Sequence, residues 1–439
     1  MAMTRARTIA LIVFVVLVAA CGDDGGTATT TGGTGGDTAT TAAAGGEATG
    51  PITIWYSNNA QEIEWATAQI EAWNADHPDE EVTAQEIPAG ETSEAVIAAS
   101  ITAGNTPCLI YNTAPAAVPS FQQQQGLVAL NEFEDGASFI EERGGEAAAQ
   151  YQSPDGSYYQ MPWKTNPVMI LYNTALFEEA GIDSENPPLG TYEDFASTAA
   201  TIVDSGAAEA AIYPSPTSQF FQSWFDFYPW FAAETGQPLV VDGEAQFNTD
   251  EGKAIAEVWR QLYADGLVPQ EESQVDAFAE GVSAMNSAGP WAVAVYTDVE
   301  WAVVPPPTSG GTAAEDLSTF ADGKSVGLYT SCENRGTAWE FLKFTMSEEA
   351  DRQLLEITGQ MPFRPGITDL YADFFDENPG FLPFAEQVER VIEVPSVPNS
   401  VEVWQTFRDA WSSSVIFGEE EIDTAFQQAA DTINQLASE

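Results

Sequence analysis

The pattern of apolar and polar positions predicts an alternation of strands and helices from residue 51 onward. Ile52-Thr53-Ile54-Trp55-Tyr56 alternates and is rich in β-forming residues, which predicts a short strand. Ile63, Ala66, Ile70 and Trp73 then recur at spacings of three and four, one helical stripe stopped by His77-Pro78. Val82 to Ile87 predicts a second strand, and 92–103 a helix capped by Thr92 and closed by Gly104. Cys108-Leu109-Ile110-Tyr111 is a continuous apolar run, as expected of a strand buried on both faces. Further strands are predicted at Tyr158–Pro162, Met169–Tyr172 and Trp301–Val304. Further helices are predicted near 174–180, 191–205, 217–234, 250–265, 336–346, 347–358, 401–416 and 420–437. Strand and helix in alternation argue for an α/β architecture with mostly parallel sheets. About 390 residues exceed what one core usually serves, so two domains are expected.

The first fifty residues follow different rules. Arg5 and Arg7 precede an apolar run from Ile9 to Ala20, long enough for a secretory signal and too short to span a bilayer. The run closes as Leu17-Val18-Ala19-Ala20-Cys21, which resembles a bacterial lipobox with Cys21 as the lipidated residue; an ordinary signal with a cysteine at its cleavage site is the alternative. Residues 22–50 hold only Gly, Thr, Ala and four acids, a composition that cannot recover the entropy of ordering and predicts a flexible tether. Residues 1–20 are thus read as signal and 21–50 as lipidated cysteine and tether. An exported location permits a disulfide between Cys108 and Cys332, with two buried thiols as the alternative.

Charge narrows the partners. Thirteen basic against 67 acidic residues give a net charge of −54, which argues against any nucleic-acid role. The acids are spread along the chain, as on a surface solvated for high salt, where self-repulsion is screened; a cationic ligand is the sharper alternative.

Several segments, in order, resemble one family. They are Ile52–Asn58 (ITIWYSN), the helix ending Ile70–Pro78 (IEAWNADHP), Ala98–Tyr111 (AASITAGNTPCLIY) and, most closely, Tyr158–Ile182 (YYQMPWKTNPVMILYNTALFEEAGI) with Gly190–Phe195 (GTYEDF). Ala277–Trp291 (AFAEGVSAMNSAGPW) and Asn334–Pro365 complete the set. Together they resemble the extracellular solute-binding proteins of ABC importers, the sugar-binding branch typified by maltose-binding protein. Cys108 departs from the pattern by standing where the family commonly has an aspartate. The resemblance implies a type II periplasmic-binding fold: two hinged lobes around a central cleft, with lobe I at 51–162 and 304–343 and lobe II at 163–303 and 344–439. It implies a lipid-anchored monomer on the outer face of the membrane, capturing a mono- or oligosaccharide for permease subunits. The same scaffold holding a polyamine or a polyol phosphate is the alternative.

Sugars present hydroxyls that need donors and acceptors, and C–H faces that pack on rings. The candidate ring contacts are Trp55 and Tyr56 at the end of the first strand, Trp163 at the first lobe crossing, and Trp224 and Phe225 in the QSWFDFYPWF segment. Trp291 after Gly289-Pro290 and Trp404 near a late helix start match family aromatics. The candidate polar contacts are Asn58, Asn112 and Asn166, the last at a position where some relatives place a glutamate. Lys164 is expected either to bind a ligand carboxylate or to form an ion pair across the hinge. Trp65, Trp73, Trp259 and Trp339 lie on apolar helical stripes and are assigned to the core. No cofactor or metal is expected, and no Ser/His or Cys/His pair, HExxH or phosphate loop stands in the chain to support an enzyme. A secreted glycosidase, which needs only two carboxylates, is the enzymatic alternative.

Overall fold

The computed structural model describes residues 48–438 except 91, 217–224 and 395. The signal expectation, the tether expectation up to residue 47, Cys21 and Trp224 lie outside the described residues. The main strands are β1 (Ile52–Tyr56), β2 (Val82–Glu86), β3 (Leu109–Thr113), β4 (Met161–Lys164), β5 (Met169–Asn173), β6 (Ala210–Ile212), β7 (Ser283–Ala288), β8 (Trp301–Val304), β9 (Thr319–Phe320), β10 (Lys324–Leu328) and β11 (Val391–Ile392). The helices that build the layers are α1 (Ala60–Asp76), α2 (Ser93–Ala103), α3 (Tyr192–Ser205), α4 (Tyr228–Thr235), α5 (Asp250–Ala264), α6 (Arg335–Thr345), α7 (Glu348–Thr358), α8 (Ser400–Trp411) and α9 (Ile422–Leu436).

Two sheets organise these elements. The first runs β2-β1-β3-β10-β4 and the second β8-β5-β7-β6. In the first, β1 pairs parallel with β2 and β3, whereas β10 runs antiparallel to β3 and β4. In the second, only β6–β7 is parallel. The sheets are therefore mixed rather than mostly parallel. Strand-then-helix order along the chain fixes parallel pairing only where a local crossover joins the strands. β10 instead enters the first sheet after a long excursion through the second, free of that constraint.

Local sequence explains the ends of the elements. The Thr92 hydroxyl accepts the Ala95 amide at the start of α2, and Gly104 closes that helix at φ 67°. The buried side of α1 is rotated slightly from the predicted stripe: Glu62, Trp65, Ala66, Gln69 and Trp73 are buried, and Ile63 and Ile70 are only half-buried. Tyr158–Pro162 yields its place to β4, three residues later. The predicted helix over 217–234 is seen as α4 from Tyr228; its first eight positions lie outside the described residues. β7 escaped the pattern because Ser283-Ala-Met-Asn-Ser-Ala288 contains no β-branched residue, although it is the strand that β5 pairs with along four positions.

Each sheet has its own core. Around the first, Ile54, Trp65, Leu109, Trp163, Leu328 and Trp339 pack together. Around the second, Phe195, Trp230, Trp259, Trp411 and Phe426 do the same. α7 lies on α1, with Trp65 Nε1 donating to the Ala350 carbonyl at 3.0 Å. The segment after β8 stays with the second sheet, Thr308 donating its amide to Gly190 at 3.1 Å. The first core thus extends past residue 343, and the second past 303.

Backbone passes between the two cores near 164–168, 319–324 and 359–363, where the strands bond one another: Thr165 to Met361, Val168 to Phe320, and Asp322 to Asn166. Arg143, 4% exposed, underpins this bundle. Its guanidinium donates to the carbonyls of Pro162 (2.8 Å), Trp163 (3.0 Å) and Phe363 (2.7 Å), and to the Asp351 carboxylate at 2.7 Å. Cys108 and Cys332 form a disulfide that ties the start of β3 to the turn after β10, 224 positions apart in sequence.

Two stability outcomes follow from these ties. Arg143→Ala takes a donor from four carbonyls, Met346 included, and leaves Asp351 with Arg364 alone, and is expected to cost about 3–5 kcal/mol in urea denaturation; a loss below about 1 kcal/mol would contradict that role. Reducing the Cys108–Cys332 bridge, or replacing both residues with Ala, should lower stability by about 2–5 kcal/mol, measured by the same method with intact-mass confirmation of the bridge.

Candidate functional site

A cleft of about 570 Å³ opens where the crossing strands separate the two cores. One wall comes from the first sheet: Ser57 and Asn58 after β1, the Pro88–Gly90 turn after β2, Glu94 in the first turn of α2, and Asn112 at the end of β3. The other is made by Phe225, Phe320 and Val394, and the crossing segment Ala321–Lys324 with Glu393 forms the floor.

Asn112 owes its position to backbone geometry. Its φ of 65° turns the chain out of β3 in the left-handed region that Asn tolerates better than most residues. Its side-chain Oδ1 is buried and has no hydrogen-bond partner among the described residues. Phe225 and Phe320 face each other at 6.1 Å between centroids, tilted by 47°.

Four ionisable groups line the cleft: Glu94, Asp322, Lys324 and Glu393. Lys324 Nζ donates to Asp322 Oδ1 at 2.7 Å. Burial pulls this ammonium down, yet Asp322, Glu94 and Glu393 together hold it above its ordinary value. Burial raises the Glu94 carboxyl, with Lys324 opposing. Glu393 is only 4% exposed. Burial pushes its carboxyl up to about 8, against the Val394 amide and Tyr151 hydroxyl that bond it. Asp322 is thus paired and Glu393 pushed toward its neutral form, and the cleft is polar without being a strongly anionic pit.

The candidates divide sharply. Asn58, Asn112 and Phe225 line the cleft. Trp55 (8% exposed) packs beneath the first sheet with Ile97, Ile110 and Phe121, because its strand is covered on both faces. Tyr56 is half-buried against the first core. Trp163 (1%) is core, its ring 5.1 Å from Trp65 and 5.3 Å from Tyr111. Trp404 (2%) packs 5.8 Å from Tyr228 within the second core. Trp291 is half-buried, folded over Gly289 and packed against the second core, 6.1 Å from the Phe225 ring. None of these five lines the cleft: a large ring next to a crossing is the cheapest way to fill the space between layers. Trp65, Trp73, Trp259 and Trp339 are core, as their stripes predict.

Lys164 and Asn166 belong to the crossing itself. Lys164 Nζ lies 2.5 Å from Glu62 Oε1, both buried. Glu62 also accepts from Gln360 (2.8 Å) and Ser57 (2.6 Å). Burial pushes the Glu62 carboxyl up, but Lys164, Gln360 and Ser57 outweigh it and hold it below the usual value. Of the two roles expected for Lys164, the ion pair is the one present. Asn166 donates to the Asp322 carbonyl (3.3 Å) and Gln360 (3.2 Å) and accepts the Met361 amide (3.3 Å), so its amide staples three crossing segments. Sequence reasoning missed Phe320, Glu94, Asp322, Lys324 and Glu393. The legible signal for the last was a lone acid in Val394-flanked, proline-rich EVPSVP.

Two mixed sheets with separate cores, joined by several crossing strands around a polar cleft, define a two-lobed periplasmic-binding fold. The chain belongs to the bacterial extracellular solute-binding protein family, whose pattern it matches over residues 68–383. The diacetylchitobiose-binding protein DasA of Streptomyces coelicolor is 24% identical over 229 residues, 48% of this chain and 51% of DasA, so the match spans about half that relative's length. The sn-glycerol-3-phosphate-binding protein UgpB of Escherichia coli is 22% identical over 356 residues, 76% of this chain and 79% of UgpB. The crystal structure of the cyclic α-maltosyl-1,6-maltose binding protein of Arthrobacter globiformis superposes with a TM-score of 0.75 at 21% identity, covering 89% of this chain and 99% of that one. The family is one of exported binding proteins, and no helix among the described residues is long and apolar enough to cross a membrane.

The buried pair gives a checkable outcome. Lys164→Ala strands Glu62 without its cation and should cost about 3–5 kcal/mol at pH 7, whereas Lys164→Met with Glu62→Gln should recover much of it. Because the Glu62 value is lowered on folding, its contribution is present above pH 4.5 and is lost as pH falls below it. Urea titrations of the wild type and the double variant between pH 3 and 7 measure this; parallel pH profiles would contradict it.

Proposed function

We propose that this chain is the substrate-binding component of an ABC importer that captures an uncharged mono- or oligosaccharide between its lobes and delivers it to permease subunits. The observation that carries the reading is the cleft: about 570 Å³, within the range of small-molecule sites, lined by amides, hydroxyls and carboxyls on one side and two phenylalanine rings on the other. Rings of this kind pack on the C–H faces of a pyranose, and the unpaired Asn112 oxygen is an acceptor for a ligand hydroxyl. Closure of the lobes about the crossing strands would make occupancy visible to a transporter.

The charge balance bears on the alternatives. A polyol phosphate needs free cationic donors, but Lys324, the one cation lining the cleft among the described residues, is already paired with Asp322. A polyamine needs ionised acids. Here Asp322 is paired with Lys324, and burial pushes the Glu393 carboxyl up to about 8. An uncharged hydroxyl-rich solute fits this balance better than either, and binding without turnover is the expected behaviour. A lipid on Cys21 and a tether over 21–50 would hold the body as a monomer at the outer membrane face, and the acidic surface would suit a saline exterior.

A thermal-shift screen of neutral oligosaccharides, glycerol 3-phosphate and spermidine tests the ligand class. A true ligand at a hundredfold excess over its Kd stabilises by about 2.7 kcal/mol. The shift should appear with a saccharide, with no product formed; a shift confined to the phosphate or the amine would overturn the reading.

A further inference from the structure

We propose that Glu393 is a specificity-determining residue of the cleft, presenting its carboxyl as a hydrogen-bond donor to an oxygen of the bound ligand. The inference rests on the carbohydrate reading above and adds to it the group that selects for an uncharged, oxygen-bearing solute.

The placement is built rather than incidental. Glu393 follows β11, which pairs with β9, so it stands on the floor where the crossing strands meet. Its backbone is held at both ends: the amide donates to Gln150 Oε1 at 3.1 Å, and the carbonyl accepts the Tyr228 hydroxyl at 3.0 Å. Its carboxyl is held as well, Oε1 accepting the Val394 amide at 2.9 Å and Oε2 the Tyr151 hydroxyl at 3.0 Å. The neighbouring Gly323 leaves room for it; a Cβ there would come within 2.0 Å of Oε2. Each oxygen thus accepts one hydrogen bond from the protein, and in its protonated form the carboxyl also carries one O–H that it can donate to a ligand oxygen.

The proton is present at neutral pH, because burial raises the group to about 8. The titratable groups facing it are Tyr151 and Tyr228, both pushed well above the usual phenol range, Lys324, held above its ordinary value, and Asp322 and Glu94 across the floor. Ionisation of Glu393 replaces a donor by a buried negative charge facing ligand oxygens, so affinity for a neutral saccharide must fall as pH passes 8.

Isothermal titration with maltose and N,N′-diacetylchitobiose, chosen as neutral probes, tests this between pH 6.5 and 9.5. For whichever binds, affinity should be about 30-fold weaker at pH 9.5, as expected for a group that must be protonated and titrates near 8. Glu393→Gln, an amide that cannot ionise, should show less than about a twofold change over the same range. Glu94→Gln should leave the inflection in place. Gly323→Ala, which keeps every ionisable group but crowds the carboxyl, should weaken binding at pH 6.5. A flat wild-type profile, or the same fall in Glu393→Gln, would overturn the inference while leaving the carbohydrate reading intact. If neither probe nor any other neutral saccharide binds, the carbohydrate reading fails instead. A measurement without ligand is independent of both: the wild-type minus Glu393→Gln infrared difference spectrum should contain a protonated-carboxyl band at pH 7 that is gone at pH 9.5, and a carboxylate band at pH 7 would overturn the inference.

Discussion

The whole arrangement depends on satisfying the backbone that passes between the two cores. Inside a sheet the ladder pairs every amide and carbonyl, but at a crossing the ladder ends while the chain is still buried, and each unpaired group costs about 1–3 kcal/mol. Four side chains tie the crossing together. Arg143 collects the carbonyls of Pro162, Trp163 and Phe363, Asn166 joins the segments around Asp322, Gln360 and Met361, and the Lys164–Glu62 pair anchors α1 to β4. None of these four side chains lines the cleft, so the crossing is tied together without occupying the space a ligand would need.

That division of labour explains the chemistry of the cleft. The strongest cations near the crossing are consumed by structure, Arg143 by carbonyls and Asp351, Lys164 by Glu62, and Lys324 by Asp322. In a chain of net charge −54, few basic groups remain to receive an anion. The acids at the floor are restrained in turn by burial and pairing. The surface can be intensely acidic while the cleft stays close to neutral, which is the condition for discriminating a hydroxyl-rich solute from both charged classes.

Most of the fold was legible in the sequence. The extents of α1 and α5, the caps Thr92 and Gly104, and the apolar run of β3 are set by local side-chain pattern and chemistry and stand close to where that pattern predicts, although the buried face of α1 is turned slightly from its stripe. The mixed sheets were not legible, because the pairing of β10 with β3 and β4 is decided by a return from the other lobe. Nor was β7, whose small residues are accepted in a strand only because its neighbours bury them. The site was harder still. Asn58, Asn112 and Phe225 line the cleft, but Trp55, Trp163 and Trp404 are core, since a tryptophan carries no mark in sequence that separates a ring packed between layers from one facing a ligand. Asp322, Lys324 and Glu393 come from segments more than sixty residues apart, brought together only by the pairing of β9 with β11.

A crystal structure of the protein with a neutral oligosaccharide tests the central claim most directly. The account predicts density between the Phe225–Phe320 rings and the wall formed by Asn58 and Asn112, with a sugar oxygen within hydrogen-bonding distance of Glu393 and the lobes drawn together. Density elsewhere on the molecule, with the cleft open and filled only by solvent, would contradict it.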